Sequence, residues 1–270
     1  MKKLFFIICV LVICLSCSQE KPVVEKTIIG MYTPYNYFPE TLNGKVMEMT
    51  ETNYFPAEKE GIVETGLPLT TAARDSINWT PDFTVHISTS GLVEKMTLIG
   101  DNGEIMGTWE VGNDGSFYTD ARWQVKDTTM VKNRITQLDS GVYQIEALDP
   151  VLDTLRGKAV FKFNEANNYQ SIQWYNFKGE KTSLFNYTYN DEGMLSSYNV
   201  TRADTVRSGM NFSRNEQGHM IQQEVFNSIK GTSETTSYEY EYDDAGNWTK
   251  CVAYQNEKPF MVAVREYKYY

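Results

Sequence analysis

Histidine is nearly absent from the chain, and cysteine is scarce: two histidines and four cysteines in 270 residues. His86 and His219 have no histidine partner at metal-ligand spacing, and no HExxH occurs, so the pattern of a zinc hydrolase is missing. Cys9 and Cys14 lie inside the first sixteen residues, which leaves only Cys17 and Cys251 beyond them. A disulfide-stapled scaffold is therefore excluded. No GxSxG elbow, phosphate-binding loop or GxGxxG follows a strand-like run. Positive charge is also in deficit, with 25 Lys and Arg against 35 Asp and Glu, a formal net charge of −10 and no basic stripe. Nucleic acid calls for clustered Lys and Arg, so it is not an expected partner. No metal or cofactor is expected either.

Long apolar runs are lacking as well. The longest, Leu4–Leu15, has twelve residues. As a helix it would rise about 18 Å, against a hydrocarbon core of roughly 30 Å. Preceded by Lys2 and Lys3 and followed by Ser16-Cys17, it reads as an export signal. The stretch Leu15-Ser16-Cys17 resembles a bacterial lipoprotein signal, with Cys14 where that family usually has Leu. The resemblance implies a signal peptide over 1–16, diacylglycerol on Cys17 and a membrane tether through that lipid. Ser18 after the cysteine implies the outer membrane, facing the periplasm or the cell surface. An ordinary cleaved signal with a coincidental cysteine is the alternative. Residues 17–40, with Pro22, Pro34 and Pro39, read as a tether or edge segment.

No linker-like stretch divides the remainder, so 41–270 is read as a single domain. What fills it is aromatic: 18 Tyr, 13 Phe and 5 Trp. The run YEYEYDDAGNWTKCVAY, from Tyr238 to Tyr254, places tyrosines at alternate positions before a glycine turn. Similar surroundings recur around Gly91, Asn167, Gly193 and Gly218, as they do around Gly246, and the last four anchors are 26, 25 and 28 residues apart. Eight, six and four residues before each anchor the side chains are apolar or aromatic, except Arg214. The interleaved positions are polar, except Val160. Period two with one apolar face is the signature of a half-buried strand. Glycine serves where the reversing chain needs positive φ, and asparagine is the best substitute there. Each unit is thus a hairpin of about 25 residues.

The copy YEYDDAGNWTK, Tyr240–Lys250, resembles the YD or RHS-like repeat. The stretch TLNGKVMEMTETNYF, Thr41–Phe55, resembles the opening segment of YD-like lipoproteins of Bacteroidetes. Together the resemblances cover about two thirds of the chain beyond the signal. They imply an all-β meander of antiparallel hairpins. With about five repeats, too few to close a shell, the expected form is a curled open sheet or half-barrel. Residues 56–82 read as a long connection in which LTTAARDSI forms a short helix, and 104–156 as three or four further strands. VREYKYY at the C-terminus reads as an open sheet edge.

Chemistry is sparse on this scaffold. Cys251 occupies a repeat slot held elsewhere by Met96, Ile172 and Tyr198, which reads as core. Asp243 and Asp244 are explained by turn chemistry, and His86 and His219 read as surface imidazoles. No catalytic residue is assigned. Trp79, Trp109 and Trp123 fall outside the repeat register and are the candidate ligand-binding aromatics, for a sugar ring or a protein partner. The functional expectation is a non-catalytic envelope lipoprotein binding glycan or protein. The alternatives are a structural subunit of an envelope assembly and a glycoside hydrolase using a carboxylate pair.

Overall fold

A computed structural model describes residues 26–29, 40–77, 81–114, 118–166 and 168–270. The anchor Cys17, the candidate Trp79 and the repeat position Asn167 lie outside the described residues. Two short strands, β1 (Lys26–Ile29) and β2 (Glu40–Asn43), pair with each other. Then come β3 (Val46–Lys59), β4 (Ile62–Pro68), the helix α1 (Thr71–Ser76), β5 (Asp82–Ile87), β6 (Val93–Ile99), β7 (Ile105–Asn113), β8 (Tyr118–Val125), β9 (Thr128–Asp139) and β10 (Val142–Leu148). The repeat region supplies β11 (Leu155–Phe163), β12 (Tyr169–Asn176), β13 (Lys181–Tyr189), β14 (Leu195–Arg202), β15 (Thr205–Arg214), β16 (Met220–Asn227), β17 (Thr232–Tyr242), β18 (Trp248–Gln255) and β19 (Lys258–Tyr269).

These strands close into an antiparallel barrel. From β5 to β19 each strand pairs with the next, and β3 pairs with both β5 and β19. The ring thus holds 16 strands, and β4 lies on the same edge of β3 beyond the end of β5. The open curled sheet or half-barrel expected from the repeats is incorrect. The expected strands in 104–156 are there, as β7 to β10, and the ring closes because 46–54, the first part of β3, pairs with β5 on one side and β19 on the other. Residues 56–68 are largely strand as well, where a connection was expected, but they lie outside the ring. The C-terminal run VREYKYY is not an edge: Arg265 pairs with Glu51 and Tyr267 with Met49 on β3.

One face of the wall is excluded from water. Val85, Met96, Leu98, Ala121, Ala159, Ile172, Tyr187, Phe212, Tyr238, Cys251, Ala253 and Met261 are all buried. These side chains gather into shared clusters across the closed ring, so this face lines the interior; on β18 and β19, Val252 and Val262 of the opposite face are buried as well. Sixteen strands in an open circle leave an aqueous channel. Here the inward side chains pack on one another: burial pushes the Tyr169 phenol well up, with smaller contributions from Tyr187 and from Tyr118 on β8, four strands away. The outward face carries charge. Lys95 pairs across strands with Glu110, and Glu110 with Arg122, all three exposed.

Strict alternation of up and down strands sorts the turns into two rims. The near rim holds β2, the start of β3 and every repeat turn. The far rim holds the opposite turns, including the β3–β4 hairpin. The repeat turns share one chemistry. Ser88, Asn164, Asn190, Asn215 and Asp243 each accept, through a side-chain oxygen, the backbone N–H four residues ahead at 2.8–3.1 Å. Gly91, Gly193, Gly218 and Gly246 follow with φ of +81°, +76°, +87° and +83°, a region closed to most side chains. An inward side chain then clamps each of the last three repeats, and β19 after them, to the unit before. The Tyr189 hydroxyl donates to the Tyr169 carbonyl at 2.7 Å, and Tyr240 to Met220 at 2.7 Å. Arg214 donates to Leu195 at 2.8 Å, and Tyr267 to Trp248 at 2.8 Å. Arg214, the exception to the apolar pattern, therefore performs the tyrosine's task. Burial pushes the Tyr189 phenol up to about 12, so this donor keeps its proton at neutral pH.

The two stretches that carry the YD resemblance meet at the near rim. Asn247, buried, accepts the Asn43 N–H at 2.7 Å and donates to the Asn43 carbonyl and the Tyr269 hydroxyl, both at 2.8 Å. Tyr269 in turn donates to Asp243 at 2.6 Å. Replacing Asn247 by Ala strands these groups, and each unsatisfied buried group costs about 1–3 kcal/mol. Urea unfolding of Asn247→Ala should show a loss of about 2–3 kcal/mol. Asp244→Ala, exposed in the same turn, should stay within about 0.5 kcal/mol of the parent chain.

Candidate binding surface at the far rim

Apolar exposure is concentrated at one end of the barrel. The seven most exposed large apolar side chains among the described residues run from Ile105 at 61 % to Val151 at 87 %, through Ile62, Phe177, Ile229, Leu152 and Leu67. Six lie on far-rim turns or in the β3–β4 hairpin, and Ile105 opens β7 at the same rim. The rims differ in charge as well. Near-rim turns carry Asp191, Glu192, Glu216, Asp243 and Asp244, whereas far-rim turns mix Lys126, Lys178 and Lys230 with Glu60, Asp127 and Glu257.

The most exposed pair, Val151 and Leu152, is held out deliberately by its turn. Asp149 accepts both of their backbone N–H groups, at 2.9 and 2.8 Å, while Arg156 donates to its other oxygen at 2.6 Å. The Leu152 N–H, then Arg156, then the Val151 N–H hold the Asp149 carboxyl down at about 2. The β3–β4 hairpin is built differently. Beyond Tyr54, β3 has no partner on β19, so Phe55–Lys59 and Ile62–Pro68 part from the ring as a two-stranded ribbon.

Where β3 exchanges β5 for β4 as its partner, the chain forks, and polar side chains fill the gap. The Asn53 N–H and its side-chain amide both donate to Asp82, at 2.9 and 3.0 Å, and its carbonyl accepts the Leu69 N–H at 2.8 Å. Arg74, 1 % exposed, places one guanidinium nitrogen 2.8 Å from Asp82 and the other 3.2 Å from Asp101. Asp101 also accepts the backbone N–H and hydroxyl of Thr71, fixing the start of α1. Leu69, Ala73 and Ile77 then pack on Tyr238, Cys251 and Met261. The short helix expected in LTTAARDSI thereby covers part of the interior at the far mouth. Each carboxylate of this cluster is neutralised by Arg74 or by backbone donors, which is the arrangement of a structural joint.

Trp109 and Trp123 face each other across β7 and β8, with ring centroids 5.5 Å apart. Both belong to the interior face: Trp109 is buried, and Trp123 packs against the same cluster. Gly107 makes room for them, since a Cβ there would run into the Trp123 ring. The structure does not bring these two indoles to the surface. His219 is buried and lies tilted against the rings of Tyr240 and Tyr242, at 5.6 and 5.2 Å between centroids, so the surface placement expected for it is incorrect. His86 is outward and lies 3.3 Å from Glu48, which also binds Lys268 at 2.6 Å. Cys251 is buried among aromatic and aliphatic neighbours. The far-rim apolar residues were not singled out in the sequence. Their only signal is position, as apolar residues beside turn-forming Asp149, Gly179 and Gly231.

No family model matches the chain, and no curated protein matches it. Solved structures do. A porin-like protein from Bacteroides uniformis is similar over 83 % of this chain and 98 % of its own, at 12 % identity and a TM-score of 0.53. That likeness is one of fold, and it agrees with the closed ring. A porin-like protein from Bacteroides vulgatus aligns over 84 % of this chain and 99 % of its own, at 8 % identity and a TM-score of 0.36. The Tc holotoxin pore of Photorhabdus luminescens aligns over 90 % of this chain and 16 % of its own, at 10 % identity and a TM-score of 0.27.

Two outcomes test the construction of this rim. Arg74→Ala leaves Asp82 buried without its counter-charge, and thermal or urea unfolding should report a loss of about 3–5 kcal/mol. The Asp149 turn should respond to acid. A carboxyl whose folded value is depressed stabilises fully above its ordinary value, near about 4, and loses that contribution as pH falls through the folded value. Amide exchange at Val151 and Leu152 should therefore accelerate as pH falls towards about 2, beyond the acid trend of neighbouring amides. In Asp149→Asn the two amides should exchange fast throughout.

Proposed function

We propose that the chain is a non-catalytic envelope lipoprotein, tethered through Cys17, that binds a protein partner with the far rim of its barrel. The observation that carries this reading is the gathering of the most exposed apolar side chains on the turns opposite the N-terminal strands. Contiguous exposed apolar surface rimmed by polar groups marks interaction sites. The rim is largely aliphatic, with Phe177 as its one aromatic among the seven. Protein is therefore favoured over glycan, whose rings stack on flat aromatic faces. A partner within an envelope assembly fits equally well.

The porin-like neighbour supports an envelope setting, and the wall of this barrel argues for how it sits there. A membrane-spanning barrel turns an apolar band outward and keeps a polar lumen. This one does the reverse, with Lys95, Glu110, Arg122, Lys162, Glu239 and Glu241 outward and exposed. The wall is accordingly read as facing water, with lipid on Cys17 as the membrane attachment. Absence of a catalytic role is supported by the joint-like pairing of the buried carboxylates.

A photo-crosslinking side chain introduced at Phe177 in living cells should give a discrete protein adduct, while the same group at Glu192 on the near rim should give none. Adducts from Glu192 alone, or from neither site, would sink the reading. Cys17→Ala in the same cells should move the chain out of the membrane fraction.

A further inference from the structure

The interior of the barrel is open to water on one side of the far mouth. Over β17–β19 that mouth is covered by α1. On β12, by contrast, Trp174 points inward and is nevertheless 36 % exposed. Its direction follows from pairing. Trp174 lies opposite Ala159, as Ile172 lies opposite Phe161, and Ala159, Phe161 and Ile172 are buried on the inward face. Residues directly opposite share a face. Beside the indole, the inward positions of β10 and β11 are Ala147 and Gly157, which pair with each other. Side chains this small leave the ring uncovered.

The next two strands bring polar groups to the same place. Gln173 pairs with Leu184 and Tyr175 with Lys181, so a bulge sets Thr182 and Ser183 together opposite Trp174. Ser183 is buried, and its hydroxyl accepts the Arg202 Nε–H at 2.9 Å. Arg202 ends β14, two residues beyond the buried, inward Val200. Its guanidinium is held through Nε, and the described residues give its two terminal nitrogens no hydrogen bond or ion pair. The other interior guanidiniums are engaged. Arg74 and Arg265 pair with carboxylates, and Arg214 donates to the carbonyls of Leu195 and Gly218. Arg202 therefore presents two parallel donors and an uncompensated charge at the inner lip, the fork that fits a planar or tetrahedral acid group.

We propose that this inner lip binds a sugar ring carrying an acid group, carboxylate or phosphate. The ring lies on the Trp174 indole, and the acid group meets the Arg202 guanidinium, which Ser183 positions. β12 and β14 are two strand spacings, about 10 Å, apart, so one sugar residue reaches from the indole to the guanidinium. Hydroxyl side chains complete the place: Thr182 beside Trp174, and Ser208 opposite Val200. They suit a polyhydroxylated ring more than an apolar one. The chain's net charge of −10 works against anions in general, so a ligand needs the aromatic platform as well as the acid contact. This site lies inside the mouth, apart from the aliphatic turns of the rim, and does not rest on those turns having a protein partner.

The full chain in detergent is titrated with glucose, with glucuronate, and with glucose phosphorylated at the carbon that bears the glucuronate carboxylate, while tryptophan fluorescence is followed. At least one of the two acids should bind about tenfold more tightly than glucose, as a charge-assisted contact implies, and the acid that does so identifies the group. Higher ionic strength should weaken the acid and leave glucose unaffected. Arg202→Gln should abolish the preference for acid without changing glucose binding, and Trp174→Ala should remove the fluorescence response to all three. Both positions are exposed, so the variants should melt with the parent chain. No binding of either acid, equal affinity for acids and glucose, or an acid preference that survives Arg202→Gln overturns the proposal.

Discussion

The seam between β3 and β19 is the interaction on which the rest depends. It joins residues more than two hundred positions apart and turns a meander into a ring. Its backbone ladder runs from Val46 with Tyr269 to Tyr54 with Val262. Inside the seam Glu51 and Arg265 form a buried pair at 2.8 Å, and the guanidinium lies over the Trp248 ring at 3.8 Å to its centroid. A buried pair of this kind does little for net stability against an apolar substitute. Its geometry does oppose slippage, because a one-residue shift of either strand would send its charge to the opposite face and leave the other buried without its partner. The Asn43–Asn247 contacts set the same register from the near rim.

Closure makes the two faces and the two ends of the sheet unequal. With all strands paired, the aromatic face has nowhere to go but inward, and the tyrosine clamps on successive repeats draw that interior together. The joint at Asn53, Asp82 and Arg74 follows from the same closure. β3 is longer than the neighbour that completes the ring, so its upper half needs β4, and the point where partners change must be satisfied by side chains. The ribbon, the far-mouth helix and the apolar rim all grow from that surplus length of β3.

The repeat hairpins were legible because they are local. Period-two alternation and the glycine at positive φ both act within about ten residues. Even Arg214, which breaks the apolar pattern, stands in the register where the clamp needs a donor. Trp109 and Trp123 were less transparent. Their departure from the repeat register marked them as unusual, but the same departure arises when β7 and β8 bring two indoles together over Gly107. His219 was misread because a residue following a turn glycine is exposed in an isolated hairpin. In the barrel, Tyr240 and Tyr242 from the next unit fold over it.

What the sequence by itself determined is the β-architecture, the inward aromatic face and the turns, since these depend on neighbours two to five residues away. It also carried the features from which an export signal and a lipid anchor were read. What only the tertiary structure decided is that the sheet closes, which turns share an end and which surface is left unsatisfied. Ring closure depends on β19 finding β3 and on the number and order of strands between them. A strand's pattern states which face is apolar, but it does not state which strand lies across the seam. The far rim is for that reason a property of the assembled barrel, made of residues that in sequence are separate apolar positions beside separate turns.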